Sequence, residues 1–71
     1  MKVVIDLPDD RYRRDRLEEL VKDWNDMEPD YMFEESYRGN YVAEKLSTPL
    51  VQDVIEHFDG HNIHIVAYQD Y

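Results

Sequence analysis

A chain of 71 residues is near the lower size limit at which one hydrophobic core can hold without cross-links, so we expect a single domain over residues 1–71. It has no cysteine, which excludes disulfides and thiolate metal sites. Seventeen acidic residues against eight basic ones give a net charge of −9, which repels nucleic acid and anionic membranes and attracts basic proteins. Neither a signal peptide nor an apolar run of roughly 18 residues is present, so a cytoplasmic protein is expected.

The first third of the chain predicts a strand and then a long amphipathic helix. Residues 2–7 alternate in the way typical of a strand, and a proline ends them. An apolar stripe at helical spacing then predicts a helix from about Asp10 to Met27, with Trp24 in the core. Asp9 or Asp10 can cap this helix by accepting hydrogen bonds from its free N–H groups. The stripe consists of Leu17, Leu20, Val21 and Trp24.

The middle of the chain predicts a β-hairpin. Residues 31–37 are rich in aromatic side chains, which favours a strand. Residues 37–40 predict a tight turn in which Gly39 supplies the positive φ, and residues 41–46 form the second arm. Alternation in the first arm puts one set of side chains on a common face: Tyr31, Phe33, Glu35 and Tyr37.

A second helix and a last strand complete the chain. Thr48 before Pro49 indicates a helix start, with the threonine hydroxyl as the cap. Gly60 is placed to terminate this helix of about ten residues. Residues 62–68 alternate again and predict a strand. The apolar face of the second helix is expected to consist of Leu50, Val51, Val54, Ile55 and Phe58.

The predicted order is β-α-β-β-α-β. For a chain of this length, the simplest α+β solution is a ferredoxin-like domain, a four-stranded antiparallel sheet with both helices on one face. Right-handed crossovers put strands one and three in the middle of that sheet. Because the second helix is short for this fold, an irregular variant is the alternative.

The negative charge is concentrated in the last two thirds of the chain. Residues 1–22 are neutral overall, residues 23–45 carry a net charge of −5, and residues 46–71 carry −4. The first 15 positions of this acidic part, residues 23–37, hold six carboxylates and no basic residue. Such a segment can imitate a phosphate backbone, because carboxylates accept the same charge-assisted hydrogen bonds. The alternative is a solvated loop and an edge strand kept soluble by like charge.

We predict that this acidic segment and the acidic side of the second helix bind a partner. Asp53 and Glu56 are neighbours on the helix, and their mutual repulsion favours an outside group that compensates them. The acids would steer association, and the aromatic residues would act as anchors. The predicted partner-binding residues are Asp23, Asp26, Glu28, Asp30, Tyr31, Phe33, Glu34, Glu35, Tyr37, Tyr41, Asp53, Glu56 and Asp59.

The sequence also suggests two other kinds of site. His57, His61 and His64 have a spacing that suggests zinc, but Gly60 interrupts the helix, so the first two would not share a helical face. We therefore predict no metal. The basic cluster at residues 11–16 has acids beside it, so we expect local pairing along the helix and no direct nucleic-acid binding.

Signatures of an enzyme or a cofactor are missing from the sequence. Its two glycines, Gly39 and Gly60, lie far apart and form no phosphate loop. Cysteine nucleophiles are absent, and Ser36 and Ser47 lie in no recognisable nucleophile elbow. We therefore predict neither catalysis nor a cofactor.

In its size, its lack of cysteine, its tyrosine content and its charge, the chain resembles the small acidic inhibitors that phages use against host nucleases, including anti-CRISPR and anti-restriction DNA mimics. The resemblance implies a viral inhibitor in the host cytoplasm. Its partner would be the basic nucleic-acid-binding surface of a nuclease or CRISPR effector, blocked by charge mimicry and steric occlusion. The alternative is a general interaction module, antitoxin-like or regulatory, that adds its edge strand to a partner's sheet. A homodimer is also left open.

Overall fold

The computed structural model describes residues 1–36, 38–61 and 63–69. The order of elements is the predicted β-α-β-β-α-β, with one additional short helical turn. The elements are strand β1 (Lys2–Ile5), helix α1 (Arg11–Met27), a 3-10 turn (Pro29–Tyr31), strands β2 (Glu34–Glu35) and β3 (Tyr41–Ala43), helix α2 (Thr48–His57) and strand β4 (Ile65–Tyr68).

The strands form one four-stranded sheet in the order β2-β3-β1-β4, and all neighbouring strands are antiparallel. Strands β1 and β3 are the inner ones, as predicted. The protein is thus a small α+β domain with two helices, compatible with a ferredoxin-like fold or an irregular variant. This arrangement leaves β2 and β4 as the two edges of the sheet.

The core lies between one face of the sheet and the two helices. Val3, Ile5 and Ala43 point to that face and are fully buried, whereas Val4 and Val42 point to the opposite face and are half-buried. Apolar side chains of both helices belong to the same buried cluster, so the helices cover one face, as predicted. The cluster comprises Val3, Ile5, Leu17, Leu20, Val21, Trp24, Phe33, Ala43, Leu46, Val51, Val54 and Phe58.

The start of α1 is as predicted, and the start of α2 differs. The Asp10 side chain accepts a hydrogen bond from the Tyr12 N–H at 3.0 Å and caps α1. In α2 the N-cap position belongs to Ser47, so the expectation that Thr48 is the cap is wrong. Thr48 is already the first helical residue, and its hydroxyl lies 4.0 Å from the sulfur of Met1. None of the helices in the described residues is long and apolar enough to cross a membrane.

Strand β2 is much shorter than the predicted strand over residues 31–37. Tyr31 closes the 3-10 turn, and only Glu34–Glu35 pair with β3. Side chains of α1 form hydrogen bonds with the backbone groups that would pair with β3 in a longer strand. Trp24 Nε1 donates to the Tyr31 carbonyl at 3.0 Å. Asn25 Nδ2 donates to the Phe33 carbonyl at 3.1 Å, and Asn25 Oδ1 accepts from the Phe33 N–H at 2.8 Å. Tyr37 lies outside the described residues.

The other strand ends also differ from the prediction. Strand β3 ends at Ala43, short of the predicted residue 46, because the chain turns at Lys45, where φ is 64°. Gly39 has the expected positive φ, 86°, in the turn before β3. Strand β4 begins at Ile65, and position 62, the predicted start, lies outside the described residues. Ile55, expected on the apolar face of α2, is 45% exposed and lines a cleft with Ile63 and Ile65.

Candidate partner-binding surface

A cluster of four aromatic rings supports the acidic parts of the surface. Trp24 lies against Phe33 and His57, with ring centroids 6.3 and 5.7 Å apart, and Phe58 lies against Phe33 and His57 at 5.8 and 5.0 Å. All four contacts are edge-to-face, an arrangement that aromatic rings favour. The predicted burial of Trp24 is confirmed, since its side chain is 2% exposed. The cluster joins α1, the segment before β2 and the end of α2.

Hydrogen bonds also connect α1 to α2 and to the segment before β2. The Nε2 atom of His57 lies 2.8 Å from the Leu20 carbonyl oxygen, which can only accept, so Nε2 carries the proton and donates. This bond links α2 to α1. Asn25 holds the chain before β2 against α1, through its two bonds to the Phe33 backbone. The carboxylates that follow these residues therefore extend from a fixed backbone.

The first acidic feature is a hollow between the two helices, which we call the interhelical hollow. It has a volume of about 380 Å³ and contains Glu28 after α1 together with Asp53 and Glu56 on α2. Trp24 and His57 also line it, and Met27 beside them is 59% exposed. Carboxylates from the two acidic segments of the sequence line the same hollow, an arrangement that sequence reasoning did not determine.

The second acidic feature is a cleft of about 610 Å³ at the β2 edge, which we call the open-face cleft. Asp30, Glu34, Glu35 and Glu44 contribute carboxylates to it. Val42 pairs with Glu34 and lies in its floor, on the sheet face that the helices leave open. Lys2 and Lys45 also line the cleft, so its charge is mixed. Glu44 was not among the predicted site residues, although its alternation with Val42 could have placed it on this face.

The remaining predicted acids lie outside both features. Asp23 and Asp26 are exposed on α1. Asp59 follows α2 and lines a separate cleft with Ile55 and Ile65. The structure therefore gathers three predicted carboxylates in the interhelical hollow and three in the open-face cleft, and it leaves three apart.

All nine predicted carboxylates lack a cation partner in the described part of the chain. The ion pairs recorded there join Arg16 to Glu19 at 3.0 Å and His64 to Asp6 at 3.8 Å, and neither involves a predicted site residue. The Arg16 pair agrees with the local pairing expected for the basic cluster. The nine are Asp23, Asp26, Glu28, Asp30, Glu34, Glu35, Asp53, Glu56 and Asp59.

The predicted aromatic anchors are largely inside the protein. Phe33 is 3% exposed, so the expectation that it contacts a partner at the surface is wrong. The side chain points to the helix-covered face of the sheet. Because it is fully apolar, its burial between Trp24 and Phe58 stabilises the fold. Tyr31 and Tyr41 are half-buried against the core.

Two methionines provide the exposed apolar area beside the acids instead. Met27 is 59% exposed at the interhelical hollow, and Met32 is 47% exposed at the open-face cleft. Sequence reasoning missed both, since Met27 follows Leu20 and Trp24 at helical spacing and reads as a core residue. An unbranched, polarizable methionine side chain adapts to different partner shapes.

The surroundings of Tyr41 change the ionisation of its phenol. Burial raises the pKa of Tyr41 above its ordinary value of 10.0, and the nearby negative charges of Glu18 and then Glu35 raise it further. Its phenol is therefore neutral at physiological pH and can donate a hydrogen bond.

The three histidines do not form a metal centre in the described residues, where no group of three or more His, Asp or Glu side chains is arranged to hold an ion. His57 uses Nε2 for the Leu20 carbonyl, and His64 lies beside Asp6 on the sheet. The backbone at Gly60, with φ of 81°, separates His57 from His61.

Comparison with models of protein families, with curated proteins and with solved structures found no match to this chain.

Proposed function

We propose that this domain is a non-enzymatic inhibitor of the anti-CRISPR or anti-restriction type. It binds the basic nucleic-acid-binding surface of a host nuclease complex and blocks DNA or RNA by charge mimicry and steric occlusion. The observation that supports the proposal is the set of nine carboxylates without a cation partner in the described part of the chain. Such charges repel one another in the free protein, and a surface rich in Arg and Lys relieves that repulsion.

The interhelical hollow has the chemistry to receive an Arg or Lys side chain. The aliphatic stem of such a side chain can lie on Met27 and Trp24, while its charged head reaches the carboxylates of Asp53 and Glu56. Hydrogen bonds from a guanidinium to carboxylates are short and charge-assisted, and they are roughly twice as strong as neutral ones. The open-face cleft offers further acceptors for the same basic surface.

A first experiment captures partners from a bacterial lysate with the tagged protein, at low and at high salt. The proposal expects a nucleic-acid enzyme that is released at high salt and competed off by its own DNA or RNA. Exposed charges lose their attraction as the Debye length falls from about 10 Å at 0.1 M salt to about 3 Å at 1 M. A partner that resists salt and has no connection with nucleic acid contradicts the proposal.

Paired charge reversals locate the binding surface. One variant carries Asp53→Lys and Glu56→Lys in the interhelical hollow, and a second carries Asp30→Lys and Glu34→Lys in the open-face cleft. A control carries Asp9→Lys and Asp15→Lys, two exposed positions outside both features. All three change the net charge equally, so any difference reports position. We expect about a tenfold or larger loss of affinity for the first two and a much smaller loss for the control.

Edge-strand addition is the second candidate function, and one observation favours it. Strand β4 is an edge of the sheet that carries no charged side chain over residues 65–68. A general interaction module of the antitoxin-like or regulatory kind would pair this strand with a partner's sheet. Backbone pairing depends little on salt, so the same capture experiment distinguishes the two functions.

A further inference from the structure

Strand β4 exposes a row of backbone groups at the edge of the sheet. The Asp6 N–H donates to the His64 carbonyl at 3.1 Å, so these residues form a hydrogen-bonded pair. Hydrogen-bonded and non-hydrogen-bonded pairs alternate along antiparallel strands, and therefore Val66 also directs its backbone groups to β1. Ile65 and Ala67 direct theirs away from the sheet.

This edge lacks the charges by which proteins commonly protect an open strand. Residues 60–69 contain no Asp, Glu, Lys or Arg, although acids make up seventeen of the 71 residues. Charged side chains on an edge strand prevent pairing with another strand. No charged side chain of residues 65–68 therefore opposes pairing with another strand.

Apolar side chains flank the same edge. Ile55 on α2 is 45% exposed and Tyr68 on β4 is 51% exposed. Beside them, a cleft of about 400 Å³ contains Phe58, Ile63 and Ile65 together with Asp59 and His64. A strand added to β4 would cover part of this apolar surface as well as the backbone groups.

We propose that a second copy of this chain binds at the β4 edge, strand β4 against strand β4, in an antiparallel two-fold dimer. Val66 of each copy lies at the two-fold axis. Ile65 of one copy forms a hydrogen-bonded pair with Ala67 of the other, and the symmetry repeats this pair, so the outward backbone groups of both residues are satisfied. The two sheets join into one.

The distribution of charge selects a second copy as the occupant. A basic partner is drawn to the carboxylates elsewhere on the surface and finds none on β4. Two copies that each carry −9 repel one another over their acidic surfaces. Pairing through β4 brings together two strands that hold no carboxylate over residues 65–68, with Asp59 in the adjoining cleft. The apolar row Val42, Val4 and Val66 on the open face of the sheet then continues across the axis into the second copy.

The same electrostatics sets the salt dependence of the dimer. Screening weakens the repulsion between two negative copies, so high salt strengthens the dimer. Binding of the inhibitor to a basic partner weakens with salt, and the two associations are therefore distinguishable. Because the paired strands are short, the interface is small and the dimer is expected to dissociate on dilution.

Sedimentation of the purified protein over about a hundredfold range of concentration tests the proposal. The mass should rise from monomer to dimer and stop there, with a larger dimer fraction at high salt. In Ala67→Pro, the outward N–H is lost and the pairing with β1 is kept, so this variant should be monomeric. The matched control is Glu35→Pro on the other edge. Ser36 N–H donates to the Asn40 carbonyl at 2.7 Å, so the Glu35 N–H also points outward, and this variant should still dimerise.

A second variant keeps the test decisive if proline disturbs folding. Val66→Lys puts two ammonium groups together at the two-fold axis while it lowers the overall negative charge. It should be monomeric even though the general repulsion between copies is reduced. A monomer at every concentration and salt overturns the proposal, and so does a dimer that Ala67→Pro and Val66→Lys leave intact. Either result leaves the proposed binding of a basic partner unaffected.

Discussion

The two edges of the sheet differ in length, charge and the way they are held. Strand β2 is two residues long, and both are glutamates, whereas β4 is four residues long and uncharged. Negative charge closes the β2 edge to another strand and opens it to cations. The lack of charge leaves the β4 edge with backbone groups and apolar surface. The comparison teaches that the two edges of one small sheet can differ in length, charge and support, and the two proposals assign a different kind of binding to each edge.

The supports of the two edges differ as well. Strand β4 pairs with β1 along all four of its residues, from Lys2–Tyr68 to Ile5–Ile65. Strand β2 pairs with β3 at only two positions and depends on side chains of α1, since Asn25 bonds the Phe33 backbone and Trp24 bonds the Tyr31 carbonyl. The following predictions test this difference, from the largest expected effect to the smallest.

Phe33→Ala should have the largest effect on the β2 edge. It removes a ring that is 3% exposed and contacts Trp24 and Phe58, so we expect a loss of about 3–5 kcal/mol in the free energy of unfolding. Urea denaturation measures the loss. Met32→Ala is the control, because Met32 is 47% exposed and should change stability by less than about 0.5 kcal/mol. Equal effects of the two substitutions would show that Phe33 does not anchor this edge.

Asn25→Ala should loosen the β2 edge without emptying the core. The substitution leaves the N–H and carbonyl of Phe33 without their partner, at a cost of about 1–3 kcal/mol. Hydrogen exchange of the Phe33 amide should become faster, while amides of β4 stay protected. In Asn25→Asp the acceptor for the Phe33 N–H remains, so protection of that amide should be retained in part. Faster exchange on β4 in Asn25→Ala would contradict a separate support for each edge.

Removal of charge from the β2 edge should make the two edges alike. In the double variant Glu34→Thr, Glu35→Thr, we expect the free energy of unfolding to change by less than about 0.5 kcal/mol. When both edges of the sheet can pair with a strand of another copy, the copies can form open-ended assemblies. Light scattering should then show masses above that of the dimer. The control Asp23→Thr, Asp26→Thr makes the same change in charge on α1 and should not assemble further. No growth in the edge variant would show that charge does not close β2.

The smallest expected effect concerns the ionisation of Tyr41 beside the β2 edge. Burial, Glu18 and Glu35 raise the pKa of Tyr41 in the folded state above 10.0. The folded protein then holds the phenol proton more tightly than the unfolded chain. This contribution to stability is present below about pH 10 and is lost as the pH rises through the folded pKa. In an alkaline titration followed by tyrosinate absorbance, Tyr41→Phe should remove a late-titrating group.

The neighbouring acids refine that measurement. Glu18→Gln should lower the pKa of Tyr41 more than Glu35→Gln does, because Glu18 is the stronger of the two charge contributions. Both variants should leave a residual increase that comes from burial. If neither substitution moves the late titration, the group observed is not Tyr41.

Much of the fold was predictable because local signals repeat along the chain. The stripe from Leu17 to Trp24 and the Asp10 cap determined α1 to within a residue. Handedness of the crossovers then determined the order of the strands. The predicted β2 began too early and the predicted β3 ended too late. The side-chain bonds of Asn25 and Trp24 and the turn at Lys45, which set these limits, leave no periodic pattern in the sequence.

The candidate site was predictable in its composition and less so in its geometry. The acids of residues 23–37 are mostly exposed, as a charged segment requires. The prediction of Phe33 as a surface anchor was wrong. Alternation along the chain shows that Phe33 shares a face with Tyr31, but it does not show which face of the sheet the helices cover. Met27 reads as a continuation of the α1 stripe, and only the position of α2 leaves it open to solvent.

The sequence by itself determined the element order, the acidic charge and its concentration after residue 22, since these depend on composition and on neighbours along the chain. Only the tertiary structure decided that Glu28, Asp53 and Glu56 line one hollow. It also decided that the charged strand β2 and the uncharged strand β4 are the two edges of the sheet. Both depend on how the helices and strands pack, and packing joins residues that are far apart in the chain.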